Sequence, residues 1–135
     1  MAKAQRLTYF KAKLEDKPGA LLAVLQGFKS KNVGLVGLWG FATFEGKADL
    51  FVSGKSPQKV RTVLEASGTL IEEGTGFLLK GTDKTGALLK TLQALAAENV
   101  NITALDAVAV GGKFGSFIWV APADIEKTAK ILGAK

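Results

Sequence analysis

Asp16-Lys17-Pro18-Gly19-Ala20-Leu21-Leu22 returns further along the chain as Asp83-Lys84-Thr85-Gly86-Ala87-Leu88-Leu89. The match holds at the same offset through Leu25 and Leu92, Gln26 and Gln93, Asn32-Val33 and Asn99-Val100, Leu38 and Leu105, and Ala42 and Ala109. Self-similarity at one fixed period marks a duplicated supersecondary unit. In both copies the quoted stretch separates an alternating segment from one with helical periodicity, so each is a loop leading from a strand into a helix. A duplicated unit pairs with its copy about a pseudo-twofold axis, and a pocket on that axis draws on both.

Outward from the first loop, residues 7–14 alternate as a strand does, and Pro18 suits a first helical turn. Leu21, Leu22, Val24, Leu25 and Phe28 share one face of a helix over 20–31. Strands are expected at 35–44 and 48–53. A helix follows through residue 66, with Ser56 as N-cap and Pro57 at N1, and a short strand at 70–72 closes the first unit. Glu73-Gly74-Thr75-Gly76 reads as a linker. The second unit repeats the pattern with strand 76–81, helix 86–98 and strand 101–110. A turn at Gly111-Gly112, strand 115–120 and a helix over 122–132 complete it. No final strand follows before Lys135, so another segment has to cover that sheet edge. The expected fold is α+β, two ferredoxin-like βαββαβ units in tandem over 7–73 and 76–133, the second lacking its final strand. The segment 35–44 carries apolar residues at both parities, which argues that both faces are covered, as a face-to-face homodimer would do.

At 135 residues each half is close to the small-domain limit and completes its core against something else. The apolar share of 47% is spread evenly, which excludes a disordered chain. No apolar run reaches the ~20 residues of a membrane span. The basic start is followed by alternating Leu7-Thr8-Tyr9-Phe10-Lys11 rather than a signal-peptide core, so the expected location is the cytoplasm. With no cysteine and no histidine the chain lacks disulfides, thiolate and Ser-His chemistry and the usual zinc ligands. Its twelve acids are scattered, with no pair placed for joint acid/base work. The chain is read as no enzyme, with no cofactor and no metal. A formal charge of +6 can attract anions, yet Arg6 and Arg61 are the only arginines, and lysine lacks arginine's bidentate reach to phosphate and guanine.

At Leu14-Glu15-Asp16-Lys17-Pro18-Gly19-Ala20-Leu21 and Val100-Asn101-Ile102, the chain resembles the ACT domain family. That family consists of small-molecule-sensing modules on a βαββαβ fold, many of them regulating amino-acid metabolism. The resemblance runs from Leu7 to Leu132 and implies a free-standing tandem ACT protein with no catalytic domain. It implies an amino-acid ligand and a regulated enzyme as further partner, while the parity of 35–44 points to a homodimer and the scarce arginines and short apolar runs leave no role for nucleic acid or membrane. In ligand-binding ACT pairs the loop of one unit faces the start of the second strand of its partner. The implied ligand residues are therefore Asp16, Pro18, Gly19, Ala20 and Leu21 with Asn101 and Ile102. A weaker second site falls on Asp83, Gly86, Ala87 and Leu88, because Gly34 stands where Asn101 does and Thr85 replaces the favoured proline. Bottom-up chemistry agrees: glycine at a helix entrance exposes N–H groups, and the helix dipole there favours a carboxylate. Asp16 can meet the ligand's ammonium group. Gly19 as a turn residue and Asn101 as a helix-to-strand turn residue are the plain alternatives. Asn32 and Asn99 are read as αL-tolerant helix ends with no binding role.

Two other readings remain. Lys113-Phe114-Gly115-Ser116-Phe117-Ile118-Trp119-Val120 loosely follows the strand pattern with which RNA-recognition motifs stack bases. Asp49 interrupts the corresponding strand of the first copy, and the aromatics are read as core or dimer interface. The other is a structural or partner-binding module whose pocket is vestigial.

Overall fold

The structure, a computed structural model, describes residues 2–135. It is an α+β protein. Its strands are β1 (Lys3–Glu15), β2 (Leu35–Ala42), β3 (Lys47–Gly54), β4 (Leu70–Thr82), β5 (Ile102–Val110) and β6 (Lys113–Val120). Its helices are α1 (Ala20–Ser30), α2 (Pro57–Ala66), α3 (Leu89–Ala97) and α4 (Ile125–Leu132), the last entered through a 3-10 turn at Pro122–Asp124. The sheet is antiparallel in the order β2-β3-β1-β4-β6-β5. Among the described residues no helix is long and apolar enough to cross a membrane.

The chain forms two compact units, one of Thr8–Gly74 and one of Thr75–Lys135 together with the N-terminal segment up to Leu7. In the first, Phe10, Ala12 and Leu14 of β1 and Leu50 and Val52 of β3 meet Val24 and Phe28 of α1 and Val60, Val63 and Leu64 of α2. In the second, Phe77 and Leu79 of β4 and Ile118 and Val120 of β6 meet Leu95 of α3 and Ala129 and Leu132 of α4. Phe10 and Phe77 hold corresponding places in the two cores, both fully buried.

The edge left open after α4 belongs to a unit that includes the start of the chain. Ala2 and Ala4 pack against its core. The Arg6 guanidinium pairs with Glu126 of α4, Nη1 to Oε2 at 2.8 Å. β1 is therefore longer than expected, beginning at Lys3 rather than Leu7, because its first residues serve this unit and the rest serves the other.

The linker expected at Glu73-Gly74-Thr75-Gly76 is instead strand: β4 runs unbroken from Leu70 to Thr82. Both glycines are there for close approach rather than for a turn. A Cβ at Gly74 would lie 2.8 Å from the Tyr9 ring, and one at Gly76 would lie 2.2 Å from Phe117. Such glycines are a recognised use of the residue within strands.

Ser56 precedes α2 as expected, but its side chain makes no cap; its carbonyl accepts from the Lys59 and Val60 N–H groups instead. Apolar residues of both parities in 35–44 also have a local cause. A register shift between Leu35 and Gly37 lets Leu35 and Leu38, of opposite parity, both pack on the first core. Trp39 and Phe41 join Phe51 on the other face, with ring centroids 6.2 and 5.8 Å away. Phe41 and Phe44 remain exposed.

Replacing Gly76 by alanine forces the Phe117 ring to move and should cost roughly 1–3 kcal/mol of stability in urea denaturation. Gly115→Ala is the control: its added Cβ meets nothing within 4 Å, and the change should stay within about 0.5 kcal/mol.

Candidate functional site

Each unit presents one copy of the repeated strand-to-helix loop, and the two copies begin alike. At the end of β1 the Asp16 N–H donates to the Gly46 carbonyl at 3.0 Å; at the end of β4 the Asp83 N–H donates to Gly112 at 3.0 Å. Gly19 then takes φ +88° and Gly86 φ +77°. A Cβ at either would touch nothing within 4 Å. Glycine is needed here for its backbone angle, since the left-handed region costs other residues about 1–2 kcal/mol, and not for space. Asn32 (φ 56°) and Asn99 (φ 58°) end the following helices in the αL conformation, as their sequence context predicts.

The loops differ in how the helix starts. α1 begins at Ala20, directly after Gly19, behind the φ-locked Pro18. α3 begins only at Leu89, later than the expected Gly86. The Ala87 N–H bonds Lys84 as Ala20 bonds Lys17, but the Leu89 N–H also bonds Gly86 three residues back, a turn tighter than an α-helix. Neither helix has a side-chain cap at its N-terminus. The Ala20 N–H donates to the Lys17 carbonyl at 3.3 Å, and the Leu21 and Leu22 N–H groups that follow have no intrahelical partner at the positive end of the helix dipole.

A pocket opens beside each loop. The first, about 330 Å³, is lined by Leu14, Ala20, Ala23 and Val24 together with Lys13, Glu15, Lys17 and Lys47. Lys47 forms a close ion pair with Glu15, and this hydrogen bond, then the Lys47 charge itself, holds the Glu15 carboxyl below the usual carboxylate range. Lys13 pairs with Asp49 at 3.3 Å, and Lys11 lies 3.7 Å from the same carboxylate. The second pocket, about 900 Å³, is lined by Lys80, Gly81, Thr82, Lys84, Gly86, Ala87, Lys90 and Phe114, among others.

The residues named from sequence are distributed as follows. Asp16, Pro18, Gly19, Ala20 and Leu21 lie in the unit Thr8–Gly74, all but Ala20 exposed. Asp83, Gly86, Ala87 and Leu88 lie in the other unit, as do Asn101, exposed just before β5, and Ile102, half-buried on the second core. Ala20 lines the first pocket, and Gly86 and Ala87 line the second. Asp16, Pro18, Gly19, Leu21 and Asn101 line neither.

Sequence reasoning missed the lysines at the strand ends. They converge through strand register: Lys47 stands opposite Glu15, and Lys113 opposite Thr82. The stretch with an RNA-motif pattern buries Phe117 and sets Phe114, itself largely buried, in the wall of the second pocket, so the two do not form an open platform for stacked bases. Asp49, in the matching strand, is buried too.

No family model and no curated protein sequence matches the chain. Solved structures do. A Bacteroides thetaiotaomicron protein aligns with 21% identity over 96% of this chain and 88% of its own, with a TM-score of 0.82. The regulatory subunit of aspartate kinase from Thermus thermophilus, in its ligand-free form, aligns with 14% identity over 96% and 91%, TM-score 0.65. That from Thermus flavus gives 15%, 98% and 94%, and 0.64. The chain therefore has the ferredoxin-like fold of ACT-type regulatory domains.

Lys47→Met should return the Glu15 carboxyl toward its ordinary pKa in an NMR pH titration. A depressed folded-state pKa contributes stability above the unfolded-state value and loses it as pH falls through the folded one. The variant should consequently show a flatter loss of stability in acid than the native chain.

Proposed function

We propose that this chain is a non-catalytic regulatory module of the ACT family, with repeats at 7–73 and 76–133, that binds a small molecule at a strand-to-helix loop. The observation that carries the reading is the entrance to α1. A left-handed Gly19 leads into a helix N-terminus with no side-chain cap, and nothing lies within 4 Å of where a Gly19 Cβ would stand. That arrangement suits the carboxylate of an amino acid, and the ligand class is proposed on that chemistry. The likeness to regulatory subunits of aspartate kinase supports the same reading at the level of fold.

In this proposal Asp16, Pro18, Gly19, Ala20 and Leu21 form the principal site. Asp16 meets the ammonium group, and Asn101 and Ile102 supply the contacts that the start of a second strand gives. Asp83, Gly86, Ala87 and Leu88 form the weaker amino-acid site. The protein works in the cytoplasm as a homodimer, and it transmits ligand occupancy to an enzyme.

A thermal-shift screen against the twenty amino acids tests this. A ligand at 100 times its dissociation constant stabilises by about 2.7 kcal/mol, an easily read shift. Gly19→Asp places a carboxylate in the anion site at a residue type that tolerates αL. It should remove the response, whereas Gly86→Asp should leave most of it. No response from the native chain to any amino acid defeats the amino-acid reading, and equal behaviour of the two variants defeats the single principal site.

A further inference from the structure

The second pocket differs from the first in charge as well as in size. In the first unit, β1 and β3 set Glu15 opposite Lys47 and Lys13 opposite Asp49. Both cations are thereby neutralised by a carboxylate. In the second unit, β4 and β6 set Thr82 opposite Lys113 and Lys80 opposite Gly115. The lysines are kept and both acids are gone. Lys84 repeats Lys17 in the loop, Lys90 stands where the first copy has Ala23, and Lys3 is brought in by the N-terminal segment. Five lysines, Lys3, Lys80, Lys84, Lys90 and Lys113, thus line one pocket of about 900 Å³ with no acidic residue in its wall. Among the described residues none of the five has a carboxylate within ion-pair distance. The volume lies in the range of small-molecule sites, about 300–1,000 Å³.

We propose that this pocket is a binding site for a small multiply charged anion carrying phosphate groups, such as a polyphosphate or a nucleotide. The chemistry selects that class over a simple carboxylate. One carboxylate leaves most of the cluster uncompensated, whereas a chain of phosphates places a charge near each lysine. Lysine binds phosphate as a point charge and needs no planar fork. Gly86 lies on the same wall and has nothing within 4 Å of where a Cβ would stand, so the loop leaves that side of the pocket open. Phe114 supplies an apolar floor: its ring lies over Gly81, where a Cβ would come within 2.6 Å of it. A concave pocket within one unit favours a compact anion over a nucleic-acid strand. The inference does not rest on the principal amino-acid site, which lies at the other loop, and it competes with the weaker one, whose Gly86 and Ala87 line this pocket.

The test restores the first copy's charge pattern. Thr82 is exposed, and an added side chain at Gly115 has open space and an ordinary backbone angle, so Thr82→Glu with Gly115→Asp alters charge with little repacking. Calorimetric titration with inorganic tripolyphosphate and with ATP, at constant ionic strength, compares that variant with Lys84→Gln/Lys90→Gln. A Lys55→Gln/Lys59→Gln variant removes two charges outside the pocket. The native chain and the Lys55/Lys59 variant should bind tripolyphosphate alike at one site per chain. Both pocket variants should bind about tenfold more weakly or worse, as for loss of close countercharges. Far-ultraviolet circular dichroism checks that each variant is folded, and Thr82→Glu alone serves if the double variant is not. Equal binding by all variants, or an equal loss in the Lys55/Lys59 variant, overturns the proposal. So does tight binding of a single-stranded oligoribonucleotide that tripolyphosphate does not displace.

Discussion

A sheet edge with unmatched N–H and C=O groups has to be paired or covered, and this constraint organises the chain more than any side chain does. The second unit ends in α4 without a closing strand. Its compact body takes in the first residues of the chain, with Ala2 and Ala4 on its core and Arg6 held by Glu126. β1 and β4 are thus each long enough to serve both units, at thirteen residues apiece. The duplicated sequence makes two units, and the extended strands make each of them complete.

Much of this was legible because the repeat carries its own punctuation. Gly19 and Gly86 both lie at positive φ, and Asn32 and Asn99 both end their helices in αL, as residue type and position imply. The turn at Gly111-Gly112 also takes positive φ at both residues. Where reading failed, one residue type served two physical ends. Gly74 and Gly76 have the composition of a linker, yet their missing Cβ atoms admit the rings of Tyr9 and Phe117. A sequence shows that a side chain is absent, but not whether a turn or a neighbour requires it. The bulge in β2 defeats period-two reasoning in the same way, because one extra residue moves Leu35 and Leu38 onto the same core.

The candidate sites were legible at the loops and illegible at the strand ends, for a topological reason. Loop residues are consecutive, so their chemistry can be read as a word. The pocket lysines come from an N-terminal strand, two further strands, a loop and a helix. They meet only through a register that no local pattern specifies. The informative comparison is between residues opposite each other across strands, Glu15 with Lys47 against Thr82 with Lys113, rather than between aligned loops.

Stability alone does not account for the cationic pocket. Exposed ion pairs contribute about 0–1 kcal/mol, so losing the equivalent of exposed Glu15 removes little, and losing that of buried Asp49 also removes a desolvation penalty. Like charges within a Debye length of ~8–10 Å, however, oppose one another, and five together weaken the folded state to a small degree with no return from packing. The remainder of the second unit is compensated with care. Gly81 makes room for Phe114 where the first copy pairs Leu14 with Ala48, so that bulk lost on one strand is regained on the next. Volume is balanced across this strand pair while charge is left unbalanced. A fold that conserves packing and concentrates uncompensated positive charge around one concavity leaves the balancing charge to come from outside the chain.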